Sequence, residues 1–546
     1  MGRTPLFDKV VRALRIARFC KDNRLSTDDG LALVRQHELK ERAVRQTRRE
    51  WLTAVARTGA AAGAASLLSP AQRLFAGAPA ASIDVGVVGA GIAGLACADA
   101  LAGSGIRARV YEAGTRVGGR CVSLRNLFPQ QIAERGGEFI DTPHKTMLRY
   151  AKRFNLALED VSKEPGDVFY HLGGELIPEP MVVEEFRDFV EVMHVDLRRL
   201  SNEPTALNHT DADVTLDRTS LAAYLNGANG SGRAAGSIAN AAIRAAYIAE
   251  YGLEPEQQSC LNFLGFIHAD RRSKFTPFGV FSDERYHVLD GNDRIVSGLA
   301  QALPRPVELG MKLSAVRETA SGRVELTFDT PAGVVSRTHD IVVLAIPFTT
   351  LRAVELDINL DSVPGKRAAI DDLGYGTNAK MMVGFNRRPW IDQGGNGTAY
   401  ADLEKLVCVW ETNPARATSG RGVLTDYSGG SRGLSLNPGA VQLEANQFLA
   451  DLNFVFPGAH AAARRVNGKV VVHLEHWPSN PLALGSYTCY KPGQFTAIAG
   501  LEGLPVGNVF FAGEHANSFY EWQGFMEGAA LSGVDAAAAI LQLVKR

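Results

Sequence analysis

The chain has 546 residues, of which 46% are hydrophobic and 21% charged, as is usual for a globular protein of one to three domains. Its 58 lysines and arginines nearly balance its 59 aspartates and glutamates, and the net charge at pH 7 is −1. This balance excludes strong bulk electrostatic attraction to nucleic acid or to an anionic membrane, so we expect no nucleic-acid partner.

The six cysteines are scattered along the chain. No CxxC pair occurs, and no cysteines and histidines show the spacing of a structural metal site. We therefore expect mostly buried thiols and no metal centre. The cysteines are Cys20, Cys97, Cys121, Cys260, Cys408 and Cys489.

Residues 1–82 form an N-terminal leader. Residues 1–46 are charged and have a helical pattern, and Arg48-Arg49 follows them. A weakly apolar run at 54–68 then leads to small residues at 76–80. This order resembles a twin-arginine export signal, which predicts a periplasmic or exported protein. The alternative is a helical arm with a chance arginine pair on a cytoplasmic protein. The run is too short and weak for a membrane span, and we expect no integral span elsewhere.

A complete βαβ unit follows the leader. Residues 83–88 predict an apolar strand, residues 95–102 a helix, and residues 108–111 a second strand that ends at Glu112. The sequence Gly-Ala-Gly-Ile-Ala-Gly at 89–94 joins the first strand to the helix. This spacing predicts an α/β fold with a Rossmann-like dinucleotide-binding domain.

Each part of this unit has a physical role. Gly89 permits the tight turn, Gly91 lets the backbone approach a pyrophosphate, and Gly94 lets the helix pack on the sheet. The helix N-terminus offers free N–H groups to phosphates, and Glu112 can accept hydrogen bonds from ribose hydroxyls. We therefore expect a bound dinucleotide.

The residues after Glu112 suggest which dinucleotide binds. They read Ala-Gly-Thr-Arg-Val-Gly-Gly-Arg up to Arg120, and this segment resembles the FAD-dependent amine oxidase family of monoamine, polyamine and L-amino-acid oxidases. The resemblance implies FAD, with Glu112 on a ribose and Arg116, Gly119 and Arg120 near the pyrophosphate and flavin. The alternative is a basic turn on an NAD enzyme.

Two further segments carry the resemblance. In residues 134–141, Gly137 and Glu138 fall where the family packs backbone beside the isoalloxazine ring. In residues 508–536, Gly513-Glu514 resembles the second FAD motif of the family. A helix predicted to begin near Gly524, Phe525 and Met526 would direct its positive end at the flavin N1–C2=O group and favour the reduced flavin.

The resemblance also implies a two-domain architecture, in which an α+β substrate-binding domain is inserted into the FAD-binding domain. Residues 340–346 predict the strand that follows a β-meander in the family, and Leu313 falls near the residue that contacts adenine. The predicted FAD-binding domain comprises 83–150, 285–350 and 500–546, and the predicted substrate-binding domain comprises 151–284 and 351–499.

Lys380 lies at the start of an apolar strand, where a buried lysine is rare unless it has a partner or a function. The family has a lysine at this motif, bonded through water to flavin N5, where a cation assists the reaction with O₂. The alternative is a lysine at a strand edge that faces solvent.

The resemblance implies an aromatic cage in front of the flavin. Tyr487 would form one wall and Phe525 the opposite wall, with Trp522 close by, although each could instead be an ordinary core aromatic. Ser486 stands where mammalian monoamine oxidases carry the cysteine that binds the flavin covalently. We therefore expect non-covalent FAD.

These features predict that an amine loses hydride from its α-carbon to flavin N5. The imine would hydrolyse to ammonia and a 2-oxo acid or aldehyde, and O₂ would be reduced to H₂O₂. The favoured substrate is an L-α-amino acid, but Phe139 stands near the position of the carboxylate-binding arginine of snake-venom enzymes, which leaves Arg285 and Tyr427 as weak anchor candidates. We also expect a homodimer.

Other functions stay open at this point. A monoamine or polyamine oxidase would need no carboxylate anchor. FAD-dependent desaturases share the fold, although the predicted lysine and cage argue against them. A flavoprotein without catalytic activity would not need an intact site.

Overall fold

The structure is a computed structural model that describes residues 83–161, 165–267, 282–413 and 420–544. All of these fall in the unit that runs from Phe75 to Arg546. The predicted leader with its twin-arginine signal lies outside the described residues, so export stays a prediction, as does the homodimer.

The helices and strands of the described residues are numbered here in chain order. The strands are β1 Val85–Val88, β2 Arg109–Glu112, β3 Ser123–Leu124, β4 Ala133–Glu134, β5 Leu158–Asp160, β6 Asp167–Leu172, β7 Glu175–Ile177, β8 Tyr286–Val288, β9 Glu308–Leu309, β10 Lys312–Glu318, β11 Val324–Thr330, β12 Gly333–His339, β13 Ile341–Leu344, β14 Glu355–Asp357, β15 Ala379–Phe385, β16 Gly395–Leu403, β17 Leu406–Glu411, β18 Gly422–Ser428, β19 Arg465–Val466, β20 Lys469–Val470, β21 Val472–His476 and β22 Val509–Phe511. The α-helices are α1 Ile92–Ala102, α2 Lys145–Arg153, α3 Glu179–Leu197, α4 Asp211–Asp217, α5 Leu221–Leu225, α6 Ser237–Tyr251, α7 Cys260–Leu264, α8 Asp293–Ala302, α9 Phe348–Leu351, α10 Lys366–Asp372, α11 Pro389–Asp392, α12 Gly430–Ser435, α13 Val441–Val455, α14 Ala459–Ala462, α15 Gln494–Ala497 and α16 Met526–Val544.

A five-stranded parallel sheet contains the predicted βαβ unit. Its order is β22-β13-β1-β2-β9. Strand β1 is buried along its whole length, as expected for a Val-rich strand covered on both faces. Helix α1 begins at Ile92, three residues before the predicted start. The chain moves from β1 to β2 on one side and returns to β13 on the other, which creates the crevice where α/β sheets bind ligands.

Helix α16 packs against α1 through small residues. A Cβ added at Gly533 would lie 2.0 Å from the carbonyl oxygen of Ala93, so the two backbones meet directly. Helix α16 is long and apolar enough to cross a membrane by length and composition, but half of it is buried inside the protein. Its position is that of a core helix of the FAD-binding fold.

Two other sheets complete the frame. Strands β10, β11 and β12 form the predicted antiparallel meander, and β14 pairs in parallel with β10. A seven-stranded sheet has the order β21-β15-β18-β17-β16-β6-β7 and is mostly antiparallel. It joins strands from 167–177 to strands from 379–476, which lie in the two segments predicted for the substrate-binding domain. The predicted domain boundaries themselves stay predictions.

The seven-stranded sheet has its own core. Phe448, Leu449 and Leu452 of helix α13 pack on buried residues of β15 and β18, such as Met381 and Leu424. Strand β15 is buried throughout and hydrogen-bonds on both sides, to β18 and to β21. Lys380 therefore lies on an interior strand of the sheet and not at an edge.

The five cysteines of the described residues are free and buried, and Cys20 lies outside them. No group of three or more His, Cys, Asp or Glu side chains that could hold a metal ion occurs in the described ranges.

Candidate active site

A cavity of about 1400 Å³ runs from the carboxyl ends of β1 and β2 to the face of the seven-stranded sheet. This volume exceeds the roughly 300–1000 Å³ of a typical small-molecule site. Its first half, the cofactor half, is lined by the predicted dinucleotide motif and by Gly513 and Glu514. Its other half, the substrate end, is lined by Tyr400, Cys408, Trp410, Tyr427 and Tyr487.

The glycine turn of the cofactor half leaves its backbone open to the cavity. Gly89 has a φ of +101°, and a Cβ there would lie 2.5 Å from the carbonyl oxygen of Ala345. A Cβ on Gly91 would meet nothing within 4 Å, so this backbone faces open space, as a pyrophosphate requires. Gly94 does not line the cavity. A Cβ there would lie 1.9 Å from the carbonyl oxygen of Gly89, which explains its role in packing.

Glu112 fixes the loops around the predicted ribose site. One carboxylate oxygen accepts from the backbone N–H of Ala90 at 2.9 Å and the other from that of Gly114 at 2.8 Å. Each oxygen keeps a further lone pair for a hydroxyl donor. Leu313, buried on β10, lines the same half of the cavity. The structure thus places the predicted ribose and adenine contacts together.

The two predicted arginines organise the middle of the cavity. Arg116 donates to the carbonyl oxygen of Gly119 at 2.8 Å, which holds this turn against Gly91. Arg120 donates to the backbone oxygen of Ser486 and forms an ion pair of 2.9 Å with Glu514. The predicted first and last FAD motifs therefore meet although they are 394 residues apart.

The N-terminus of α16 points into the cavity. Gly524 has a φ of +87°, and the helix begins two residues later at Met526. A Cβ on Gly137 would lie 2.8 Å from the Met526 side chain, so the predicted flavin-facing backbone and helix start are in contact. Glu527 accepts from the backbone N–H groups of Thr146 and Met147 at 2.8 Å each, which anchors this end of α16 to α2.

Lys380 is buried, with 4% of its surface exposed, and lines the cavity. Its ammonium group forms an ion pair of 2.6 Å with Glu138 and donates to the carbonyl oxygen of Gly136 at 2.8 Å. Trp410 Nε1 donates to the other carboxylate oxygen of Glu138 at 3.0 Å. Glu138 therefore binds Lys380, whereas the sequence suggested only that its backbone lies beside the flavin.

Aromatic side chains surround the substrate end. The hydroxyls of Tyr427 and Tyr487 lie 2.9 Å apart, and Tyr487 also donates to the backbone oxygen of Glu250. The Trp410 ring lies edge-on to Tyr427 at 5.3 Å and 5.7 Å from Phe139. Phe139 thus contributes an aromatic wall to the cavity.

The opposite aromatic wall has a buried histidine behind it. Phe525 and Trp522 both line the cavity and contact each other edge-on at 5.8 Å. The His144 ring lies 4.5 Å from Trp522 and 5.4 Å from Phe525. Its Nδ1 accepts from the backbone N–H of Asp141 at 2.9 Å, and burial lowers its pKa to about 4. This imidazole supports the wall as a neutral group.

The carboxylates that line the substrate end include four to which sequence reasoning assigned no side-chain role: Glu138, Asp141, Glu250 and Glu284. Burial raises the pKa of Asp141 to about 6 and that of Glu250 to about 8. The pKa of Glu284 is also raised, by burial and then by the charges of the other three carboxylates. Glu138 and Asp141 lie in the segment at 134–141 that was predicted to pack beside the flavin, whereas no short motif identifies the side chain of Glu250 or Glu284 as part of the site.

Arg285 is not brought to the cavity. It forms an ion pair of 3.0 Å with Asp160 and its guanidinium lies against the Tyr286 ring. Its two neighbours in the chain, Asp283 and Glu284, do line the cavity. Arg285 instead faces Asp160, because the strand that carries Asp160 pairs with the strand that begins at Tyr286.

The cofactor half fits FAD. Its Gly91 backbone is open to a pyrophosphate, Glu112 has lone pairs for a ribose, and a helix N-terminus lies at the junction with the substrate end. Arg116 and Arg120 supply positive charge between them. An elongated dinucleotide can span this half and leave the substrate end free.

Comparison of the sequence with known proteins identifies relatives. Residues 92–541 match the model of the flavin-containing amine oxidoreductase family. The L-amino-acid oxidase of Pseudechis australis is 24% identical over 470 residues, which cover 83% of this chain and 85% of that one. A putative L-amino-acid oxidase of Bacillus subtilis (strain 168) is 25% identical over 483 residues, which cover 84% and 94%.

Solved structures share the fold. Cyclohexylamine oxidase from Brevibacterium oxydans has a TM-score of 0.71 at 22% identity and covers 85% of this chain and 100% of its own. Wild-type putrescine oxidase bound to putrescine has a TM-score of 0.69 at 20% identity, with coverages of 84% and 99%. The predicted two-domain amine oxidase architecture is therefore confirmed, and the family match excludes an NAD enzyme. The chain belongs to the flavin-containing amine oxidoreductase family and is an FAD-dependent amine oxidase.

Proposed function

We propose that this oxidase acts on a primary amine that it recognises by positive charge, such as a diamine, and that it needs no substrate carboxylate. When bound, FAD accepts the hydride and passes the electrons to O₂. The remaining tasks belong to the protein, which must attract the amine, orient its α-carbon and exclude water.

The sign of charge at the substrate end carries this proposal. Among the described residues that line the cavity, the cations are Arg116, Arg120, Arg135, Lys312 and Lys380. Lys380 is neutralised by Glu138, and Arg135 pairs with Glu475 at 2.5 Å beside Arg116 in the cofactor half. Among the described residues, the substrate end thus offers carboxyl groups and no unpaired cation. A bound ammonium group would stabilise the ionised form of these carboxyls, whereas a substrate carboxylate would find no cationic partner among them.

The aromatic walls support the same substrate class. Tyr427 and Tyr487 present ring surfaces whose hydroxyls are fixed by their mutual hydrogen bond. Phe525 and Trp522 lie on the wall backed by His144. Aromatic faces attract a cation and pack on its alkyl chain, so they suit an alkylammonium ion.

An L-α-amino acid is the second candidate, because the relatives from Pseudechis australis and Bacillus subtilis are named L-amino-acid oxidases. Its carboxylate would need a cation beyond those at the described substrate end. Residues 268–281 contain Arg271, Arg272 and Lys274 and lie outside the described residues.

Matched substrate pairs test the proposal. We would measure H₂O₂ release with putrescine against L-ornithine, cadaverine against L-lysine, and tyramine against L-tyrosine. The two members of each pair differ only by the α-carboxylate. We expect turnover of the amines and a lower kcat/KM for each amino acid, most clearly for the diamines. Turnover of the amino acids alone contradicts the proposal and places the anchor outside the described residues.

FAD is also proposed to bind non-covalently. Ser486 has no thiol for a flavin thioether, and its hydroxyl donates to Asn378 Oδ1 at 2.6 Å. This proposal implies that acid precipitation releases all of the yellow cofactor into the supernatant.

A further inference from the structure

Two carboxylates of the substrate end have no hydrogen-bond or ion-pair partner among the described residues. Glu250 lies near the end of α6 and Glu284 near the start of β8, and both line the cavity. Each is half-buried, enclosed by protein but open on the side of the cavity. In the described structure, neither carboxylate forms a hydrogen bond or an ion pair, although their backbones do: Tyr487 donates to the Glu250 oxygen and Glu284 N–H donates to Asp141 at 2.9 Å.

Such a pair lowers the stability of the fold, so its presence in the cavity points to a role in the reaction. An enclosed, unpartnered carboxylate loses hydration without compensation, and a second one beside it adds repulsion. Burial raises the pKa of Glu250 to about 8, and burial and the charge of Glu250 raise the pKa of Glu284, so a fraction of Glu250 is ionised near neutral pH and can accept a proton. The groups that face them are Glu138, Asp141 and Lys380 as charged groups, and Tyr247, Tyr251, Tyr400, Tyr427, Tyr487 and Cys408 as neutral ones.

The reaction requires a proton acceptor. An alkylamine has a pKa of about 10.4 and reaches the cavity as an ammonium ion. Hydride can leave the α-carbon only when the nitrogen has a lone pair that stabilises the forming iminium. One N–H proton must therefore be removed first, in a site from which water is largely excluded.

We propose that the carboxylate of Glu250 accepts this proton from the bound substrate ammonium, with Glu284 as its neighbouring acid. The N–H bond breaks and its electron pair stays on nitrogen, while an O–H bond forms on the carboxylate. Nothing is oxidised or reduced, and an ion pair becomes a neutral amine beside a neutral acid. Solvent takes the proton from Glu250 after product release.

The other polar groups of the substrate end are committed elsewhere. Glu138 pairs with Lys380, and Asp141 accepts from the backbone N–H of Glu284 at 2.9 Å with its other oxygen 3.5 Å from His144 Nε2. The Tyr487 hydroxyl donates to the Glu250 backbone and lies against that of Tyr427. The inference rests on the amine oxidase activity alone, because the α-ammonium group of an amino acid has the same requirement.

The pH dependence of kcat/KM tests the inference with Glu250→Gln. For the wild type we expect kcat/KM to rise with pH as Glu250 ionises near its pKa of about 8, and to fall when the free substrate loses its own proton. The variant should lack this rise of kcat/KM near pH 8, which is the lower limb of the profile. Its kcat/KM at pH 7 should be lower by roughly 10²–10⁴-fold. The loss should shrink as the pH approaches the pKa of the substrate.

A weakly basic amine separates proton removal from a structural effect. With 2,2,2-trifluoroethylamine, which is neutral at pH 7, the wild-type and Glu250→Gln enzymes should have nearly equal kcat/KM. Glu355→Gln, on an exposed part of β14, is the matched control and should change neither amine. An equal loss for both amines, or an unchanged lower limb in Glu250→Gln, would overturn the inference.

If the Glu250→Gln variant fails to fold with FAD, the same pH profile is measured with Glu250→Asp. It keeps a carboxylate, so the lower limb should remain while the rate falls, and its disappearance would contradict the inference. If only amino acids are oxidised, the same profiles are measured with the best amino acid. The substrate proposal then fails without affecting this test.

Discussion

At the scale of single residues, Lys380 shows what burial does to a functional cation. The sequence indicated only that a lysine in an apolar strand needs a reason. The structure supplies Glu138 at 2.6 Å and the carbonyl of Gly136 at 2.8 Å. The buried ion pair accounts for the residue in the fold, and its predicted role in the reaction with O₂ stays a prediction.

Substitutions in this pair can separate the two roles. Lys380→Met leaves the carboxylate of Glu138 buried without its ion-pair partner. Glu138→Gln leaves the ammonium group of Lys380 buried without its ion-pair partner. Each single variant should lose about 3–5 kcal/mol of stability, because a lone buried charge is not compensated. The double variant Lys380→Met/Glu138→Gln should recover part of this loss. Thermal unfolding of the FAD-loaded proteins measures all three.

The rate at which O₂ reoxidises the reduced flavin distinguishes catalysis from stability. If Lys380 assists O₂, reoxidation slows in Lys380→Met and in the double variant but not in Glu138→Gln. Equal reoxidation rates in the wild type and the double variant would mean that Lys380 has only a structural role.

Residues differ in how far the sequence could predict them. Glu112, Arg116, Arg120 and Glu514 stand in local motifs, and the structure brings them together at the cofactor half. Glu250 and Glu284 belong to separate segments without a motif, so only the tertiary fold shows that they meet. Arg285 was selected for its charge, but its partner Asp160 lies in a strand that pairs with its own segment, which the sequence did not reveal.

At the scale of secondary structure, the elements with a strong local pattern were predicted best. The predicted bounds agree to within three residues for strand β1, helix α1 and strand β2. The spacing of the glycines marks the turn where β1 ends and α1 begins. Helix α16 begins two residues after the predicted Gly524. The pairing of β6 with β16 was not predictable, since more than 200 residues separate these strands and nothing local specifies the partner.

The contact between α1 and α16 leads to a prediction about Gly533. A Cβ there would lie 2.0 Å from the Ala93 oxygen and 3.0 Å from the Cys97 nitrogen, so Gly533→Ala must push the helices apart. We expect a loss of about 1–3 kcal/mol in stability. Because the N-terminus of α16 and the turn before α1 both line the cofactor half, FAD affinity should fall as well.

Thermal unfolding and quenching of FAD fluorescence on binding measure both effects. Gly103→Ala, at the end of α1, is a matched control: its φ is −60° and an added Cβ would meet nothing closer than 3.5 Å. A Gly533→Ala protein with the stability and FAD affinity of Gly103→Ala would contradict the close contact.

At the scale of the whole molecule, distant segments of the chain close around one cavity. The turn after β1, the loop after β2, β10 and the segment before α16 all line the cofactor half. Within the protein alone, the Arg120–Glu514 ion pair links the loop after β2 to the segment after β22. A ligand that spans these segments therefore adds contacts that the apoprotein lacks.

This arrangement predicts strong linkage between FAD binding and stability. The unfolding temperature of the apoprotein should rise with the logarithm of FAD concentration, with about 2.7 kcal/mol gained at a free concentration one hundred times the Kd. FMN is the matched control, since it lacks the adenosine that would reach Glu112 and Leu313 and so bridges fewer segments. At equal concentration it should shift the unfolding temperature far less. Equal shifts with FMN and FAD would mean that the adenosine contacts contribute nothing, and that the flavin part alone holds the segments together.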